Sequence, residues 1–295
     1  MPDWRSLLID SYRTVTWPWR KFMMRRMQKN STVPISVLFY HRVANEELNP
    51  WSISQADFEM QIAWMQENFD MISLDEVQHR IKNGNSRPAI SITFDDGYAE
   101  NCSFALPMLL ERRIPVTYFV TTHHTTHNRP FLHDVQRGKP LAPNSIDTLK
   151  ALANAGVEIG AHTRTHIDLG TCTDPDVIYD EVIAATREME TMLDYSIRYF
   201  AFPYGQRQNL NPLVFRLLQD HGFCGVCSAY GGLNAVRSDS FHLQRIHGDP
   251  NFSRMKNWLN LEPRLLNVSR YDWRRELSKL PLPKSSNKNL QESKA

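Results

Sequence analysis

The stretch Ser91-Ile-Thr-Phe-Asp-Asp-Gly-Tyr98 decides the fold. A β-prone apolar run stops abruptly at two adjacent acids, and Gly97 lets the chain turn at once. Further on, Val157-Glu-Ile-Gly-Ala161 stops in the same way at His162-Thr-Arg-Thr-His166. Polar side chains at the C-terminal ends of strands are where α/β barrels collect their chemistry. One carboxylate with two imidazoles is a ligand set for a catalytic divalent metal that keeps an open position. The second, neighbouring carboxylate is placed to act as a general base on water. Either half alone is a weak signal, since acidic turns and surface histidine pairs are common. Together they are sharper, because two adjacent buried acids repel unless a cation is near.

Outward from these two segments the chain alternates. Short apolar runs at 35–40, 90–94, 116–120, 157–161, 198–202, 223–228 and 243–247 predict seven strands. Helix-prone stretches lie between them at 55–68, 74–82, 105–113, 145–155, 176–193 and 212–221. Leu106, Leu109 and Leu110 recur at helical spacing, and Ser145-Ile-Asp147 with Asn154-Ala-Gly156 reads as a start and a stop. Strand and helix in repeated alternation indicate parallel βαβ units, hence an α/β fold and a short barrel. Residues 121–144 are longer than an ordinary connection and read as a substrate lid. His123, His124, His127 and His133 in that segment are expected to be solvated rather than ligating.

Composition bounds the rest. The chain has 295 residues, 41% hydrophobic and 22% charged, with a net charge of +2. That balance lacks the basic excess of a nucleic-acid protein. No apolar run approaches the roughly 18 residues needed to span a bilayer. The N-terminus shows no apolar core of a secretory signal, so a cytoplasmic location is expected. Residues 1–34 form a basic and aromatic extension, 35–262 the barrel, and 263–295 a C-terminal extension expected to be disordered from about residue 281. In residues 1–30, cations from Arg5 to Lys29 alternate with Trp4, Trp17, Trp19 and Phe22. This mixture suits contact with an anionic membrane surface, the alternative being a helix packed over one end of the barrel. Pro18 is expected to interrupt a single helix there. Cys102, Cys172, Cys224 and Cys227 read as ordinary buried thiols. The C-x-x-C spacing of the last two falls in a strand-like run, which turns them to opposite faces.

Thr93-Phe-Asp-Asp-Gly-Tyr98 and His162-Thr-x-x-His166 resemble the first two motifs of the polysaccharide deacetylase family (NodB-homology domain, carbohydrate esterase family four). Phe202-Pro-Tyr-Gly205 resembles the third. Val37-Leu-Phe-Tyr-His-Arg-Val43 and Leu243-Gln-Arg-Ile246 resemble flanking motifs of the exopolysaccharide branch. The resemblance covers about residues 35–250. It implies a distorted (β/α)7 barrel in a single catalytic domain, and metal-dependent removal of N- or O-acetyl groups from a poly-, oligo- or lipid-linked saccharide. It also implies Asp96, His162 and His166 as ligands of one divalent metal, zinc by ligand type with cobalt, nickel or iron as alternatives. Asp95 would be the general base, and a backbone N–H near Tyr204 would face the oxyanion.

One departure stands out. The family carries Arg two residues before Pro203, whereas this chain has Ala201. Arg245 and His247 stand two apart in a strand-like run and so share a face. Arg245 is therefore expected to pair with Asp95 in place of the missing arginine. His247, with Asp249 as its partner, is expected to be the acid for the leaving group. His41, which ends the first strand, is the alternative acid and is otherwise grouped with Tyr204 as substrate-facing. The expected partner is an acetylated carbohydrate, without nucleic acid. Two other readings remain: a same-fold hydrolase of another C–N bond, and a non-catalytic carbohydrate-binding relative. The intact ligand set and Asp95 count against the second.

Overall fold

A computed structural model describes residues 4–280. Its frame is one parallel sheet. The strands are β1 (Ile35–Tyr40), β2 (Ala89–Phe94), β3 (Val116–Val120), β4 (Glu158–Ala161), β5 (Tyr199–Ala201), β6 (Gly225–Ser228), β7 (His242–Gln244) and β8 (Ile246–His247). They run in the order β7-β6-β5-β4-β3-β2-β1-β8. Both ends of that order belong to one extended run. β7 pairs with β6, through His242 opposite Val226. Two residues later β8 pairs with β1, through Leu38 opposite Ile246. The seventh strand expected from sequence thus closes the barrel, and it is broken in the middle at Arg245. A short strand, Asp70–Met71, pairs beside the start of β2.

β1, β2 and β3 are buried along their whole length, as expected of parallel strands covered on both faces. Alternation sorts their side chains. Leu38, Tyr40, Ile92, Phe94 and Ile246 join the large core beneath the surrounding helices. Ile35, Val37, Phe119, Ala201, Cys227 and Leu243 form a separate small cluster inside the barrel. Gly160 leaves room there for Phe119, whose ring would lie 2.3 Å from any added Cβ.

The helices are α1 (Trp4–Lys29), α2 (Gln55–Asn68), α3 (Leu74–Asn83), α4 (Ala105–Glu111), α5 (Thr122–His127), α6 (Leu132–Gln136) and α7 (Ile146–Asn154). They continue with α8 (Pro175–Tyr179), α9 (Ala185–Leu193), α10 (Pro212–Asp220), α11 (Phe252–Leu259), α12 (Pro263–Leu266) and α13 (Trp273–Leu277). Ser145 caps α7 by accepting from the Thr148 N–H, the start signal read in sequence. α8 and α9 form one rod joined by a wide turn, Asp180–Ala184. α3 adds Leu74, Val77 and Ile81 to the interior cluster, so it plugs the end of the barrel opposite the strand C-termini.

Three expectations need correction. α1 is continuous through Pro18. Pro18 and Thr14, whose carbonyl loses its partner, both sit on the exposed side. Water can satisfy that carbonyl, and tertiary contacts hold both halves of the helix. The expected lid, 121–144, is not a free loop. It folds into α5 and α6 and is pinned by Asn144 N–H to Gly97 O at 2.8 Å and Tyr98 Oη to Asp134 Oδ2 at 2.7 Å. Of the four thiols only Cys227 is fully buried, and Cys224 is exposed. The strand alternation that parts this pair also carries Cys224 to the surface. Residues 263–280 pack back onto the body, where Trp273 stacks on Phe215. The expected tail from about 281 lies outside the described residues.

Candidate active site

Asp95 and Asp96 follow β2 directly. Thr93 and Asp95 continue the inward parity of their strand, so Asp95 points into the top of the barrel. Arg245, fully buried at the break between β7 and β8, donates to both of its oxygens. Nη1 reaches Oδ1 at 2.6 Å and Nη2 reaches Oδ2 at 2.8 Å. The same guanidinium donates to Thr93 Oγ1 and to the Ser228 carbonyl, both at 3.1 Å, and lies over the Phe39 and Phe119 rings. A planar fork matched to a carboxylate makes a strong, directional pair. Burial alone would raise the Asp95 pKa, but Arg245 and the nearby His162 hold it below the usual carboxylate value.

Asp96 takes a left-handed φ of 71°, which turns it out of strand parity toward His162 and His166. Its Oδ1 lies 3.5 Å from His162 Nε2 and 3.3 Å from His166 Nε2. His162 Nδ1 is 2.8 Å from the Ala201 carbonyl. A carbonyl can only accept, so Nδ1 carries the proton and the Nε2 lone pair faces the carboxylate. Two acceptors set against each other call for a cation between them. Asp96 Oδ1 is buried with no hydrogen-bond partner, and one ligand atom from each of the three residues falls within 4.8 Å of the others. Metal–ligand bonds of about 2.0–2.1 Å in a tetrahedron place ligand atoms roughly 3.3 Å apart. The residues present therefore fit a divalent metal.

The histidine loop is held by side chains that sequence reading missed. Thr163 Oγ1 accepts the His166 N–H at 2.9 Å. Glu181, in the wide turn between α8 and α9, accepts from the Arg164 and Thr165 N–H groups at 3.0 and 2.9 Å and from Thr165 Oγ1 at 2.6 Å. Wide helical turns recur at functional sites. Asp96, Thr163, His166 and Tyr204 all have left-handed φ, between 60° and 71°. Strain of this kind, concentrated around one point, persists where surrounding contacts fix a functional geometry. The only sequence cue to Glu181 was an acid at an otherwise apolar helical position.

The other expected residues lie around this centre. Tyr204 packs edge-on against His166, with ring centroids 5.0 Å apart, and Phe131 of the former lid packs on it from another side at 5.5 Å. His41 sits at the mouth between Trp51 and His247. Burial lowers its pKa, while Asp96 and Asp95 act to raise it. His247 contacts Phe39, and burial together with His41 lowers its pKa to about 4. Asp249 acts on His247 only through its charge, which works to raise the His247 pKa, and makes its hydrogen bonds elsewhere. Its carboxylate accepts from Arg254 at 2.9 Å and from the Asn251 N–H at 2.7 Å, because the chain turns into α11 there. His124 and His133 flank the Phe131 ring, and His123 and His127 pack tilted against each other. None of these four belongs to the Asp96 cluster.

Known proteins match this chain along the same stretch. The family model for polysaccharide deacetylase matches residues 82–225. YxkH of Bacillus subtilis is 22% identical over 255 residues, covering 85% of this chain and 82% of that one. The chitooligosaccharide deacetylase of a Bradyrhizobium strain is 28% identical over 138 residues, 46% of this chain and only 55% of the relative. The chain thus spans about half the length of that relative. Among solved structures, IcaB from Ammonifex degensii superimposes with a TM-score of 0.65 at 21% identity, over 77% of this chain and 97% of that one. The Streptococcus pyogenes deacetylase PplD, solved in complex with acetate, gives 0.62 at 20% identity over 77% and 99%. At such identities these two likenesses speak for the fold, a distorted (β/α)7 barrel. Fold, matched motifs and family model agree: the chain belongs to the polysaccharide deacetylase family, hydrolases acting on carbon–nitrogen bonds other than peptide bonds.

Proposed function

We propose that this chain removes acetyl groups from an acetylated oligo- or polysaccharide, by hydrolysis that depends on a divalent metal. The observation that carries the reading is a division of labour between adjacent carboxylates. Asp96 converges with His162 and His166, while Asp95 stands apart, ionised and clamped by Arg245. A metal held by Asp96, His162 and His166, zinc by ligand type, would supply Lewis acidity to the acetyl carbonyl and lower the pKa of water beside it.

The chain's own residues supply the rest. Asp95 takes the proton of the attacking water, and Arg245 keeps it ionised and oriented. Carbon–oxygen bond formation gives a tetrahedral adduct. The backbone N–H of Tyr204, in its strained turn, is assigned to the oxyanion. His41 donates a proton to the leaving nitrogen as the C–N bond breaks, which frees acetate and the amine. His41 is preferred to His247 because Asp96, Asp95 and His162 all act on it, whereas of these three only Asp95 acts on His247; burial lowers the pKa of both imidazoles, that of His247 to about 4. The relatives named for chitooligosaccharide make N-acetylglucosamine oligomers the first substrates to try. Acetate release from a panel of N- and O-acetylated glycans, with and without chelator, tests the reading. Release that persists after full metal removal, or no release from any member, overturns it.

A further inference from the structure

The N-terminal helix leaves one apolar side uncovered. Polar groups anchor its inner side, next to the half-buried Ile9, Met23, Met24 and Met27. Arg20 is buried and donates to the carbonyls of Asn257 and Asn260, to Asn257 Oδ1 and to Glu262 Oε2 at 2.7–3.1 Å. Toward the N-terminus, Asp10 accepts from Ser253 Oγ, and Ser6 Oγ accepts from Asn251 Nδ2, both at 2.9 Å. The opposite side carries Trp4, Leu8, Val15, Trp19 and Phe22, spaced by three, four or seven residues and therefore on one stripe. These five are 43–80% exposed. A soluble helix normally buries such a stripe.

Charge identifies what covers it. Lys21, Arg25, Arg26 and Lys29 crowd the last three turns beside the stripe. The one acid of the described helix, Asp10, faces inward and pairs with Arg13. Trp and Phe beside a run of cations, with no facing acid, complement an anionic lipid interface. A cytosolic partner protein would be expected to meet this face with acidic side chains, whereas a bilayer supplies both the negative headgroups and the apolar layer beneath them. No helix among the described residues is long and apolar enough to cross a membrane, so the contact lies in the plane of the interface. The helix runs along the flank of the barrel. Its first turns touch Asn251 and Ser253, just beyond the mouth residue His247, and its last turn leads to Thr32, which pairs with Asn85 at the far end.

We infer that α1 is a peripheral membrane anchor that docks the enzyme sideways onto an anionic bilayer through Trp4, Leu8, Val15, Trp19 and Phe22. The inference is independent of the chemistry at the active site. The test is co-sedimentation of the full chain with vesicles of phosphatidylcholine alone or phosphatidylcholine with phosphatidylglycerol. Binding should require the anionic lipid and weaken as salt is raised. Val15→Glu with Trp19→Glu should abolish sedimentation while leaving the circular dichroism and thermal midpoint of the body unchanged, because both side chains face away from it. Substituting Lys21, Arg25, Arg26 and Lys29 by Gln should remove the preference for the anionic vesicles. Failure to sediment with anionic vesicles, or wild-type sedimentation by the Val15/Trp19 variant, overturns the inference. A dimer in light scattering that the same variant dissolves would also overturn it, by assigning the stripe to a second copy.

Discussion

Arg245 grips both oxygens of Asp95 from the break in the strand that closes the barrel. The pair therefore joins the last element of the sheet to the second, and its integrity depends on barrel closure. In Arg245→Ala, only His162 and His41 would remain to oppose burial, and the Asp95 pKa would rise. The acidic limb of the pH–rate profile should move to higher pH, with kcat recovering as pH rises. Arg245→Lys keeps the charge but not the fork, and should fall between the two. An unchanged acidic limb in Arg245→Ala would remove Arg245 from control of the base.

The same pair carries a stability prediction. The folded pKa of Asp95 is depressed, so its contribution is present above the unfolded value, about 3.9. It is lost as pH falls through the lower folded value. Truncating one partner of a buried pair costs about 3–5 kcal/mol. Arg245→Ala should therefore lower the denaturant midpoint at neutral pH, and the deficit should narrow toward acid, where Asp95 is protonated in both proteins. Chemical denaturation at two pH values measures it.

Asp95→Asn and Asp96→Ala should separate the two acids. The amide preserves shape but cannot take a proton, so Asp95→Asn should keep its metal and lose about 10²–10⁴-fold in kcat. Asp96→Ala should fail to retain metal in elemental analysis, because two imidazoles alone leave the site short of a ligand. Full metal content in the second variant would move the site elsewhere.

The parallel barrel was legible because strand and helix periods alternate cleanly, and because the histidine and aspartate motifs each end a strand. Arg245 was legible from parity within residues 243–247 and from Ala201 standing in an arginine's place. The split of that strand was not, since hydrogen bonding to two different neighbours leaves no mark on a five-residue apolar run. Nor was the pinning of α5 and α6, which rests on single contacts such as Tyr98 to Asp134 across distant sequence. His247 is read as the acid because it follows an apolar strand as the family's last motif does, and the neighbouring Asp249 looks like its partner in sequence alone. The turn into α11 takes Asp249 to Arg254 instead.

The two mouth histidines should respond differently. If His41 is the acid, His41→Ala should reduce kcat by about 10²–10⁴-fold and remove the alkaline limb of the profile, with metal content intact. His247, with its pKa near 4, is already neutral at the working pH. Its loss should change kcat far less and should leave the alkaline limb in place, because a neutral neighbour puts no charge beside His41. The reverse ranking of the two variants would return the role to His247.

Glu181 ties the fold to the metal site at one remove. Its carboxylate holds the Arg164 and Thr165 N–H groups between the two ligand histidines, so it sets where His166 stands without touching a ligand atom. Glu181→Ala frees the loop that Asp96, His162 and His166 need in register. Residues that orient metal ligands typically account for about 10–100-fold in affinity or activity. Chelator competition should show weaker metal retention in Glu181→Ala, and Glu181→Gln, whose one amide oxygen can still accept both N–H groups while the acceptor for Thr165 Oγ1 is lost, should recover part of it. Saturating metal should restore kcat in both variants, because Asp95, Arg245 and His41 are untouched. A kcat that stays low at metal saturation would place Glu181 in the chemistry rather than in the positioning of the loop.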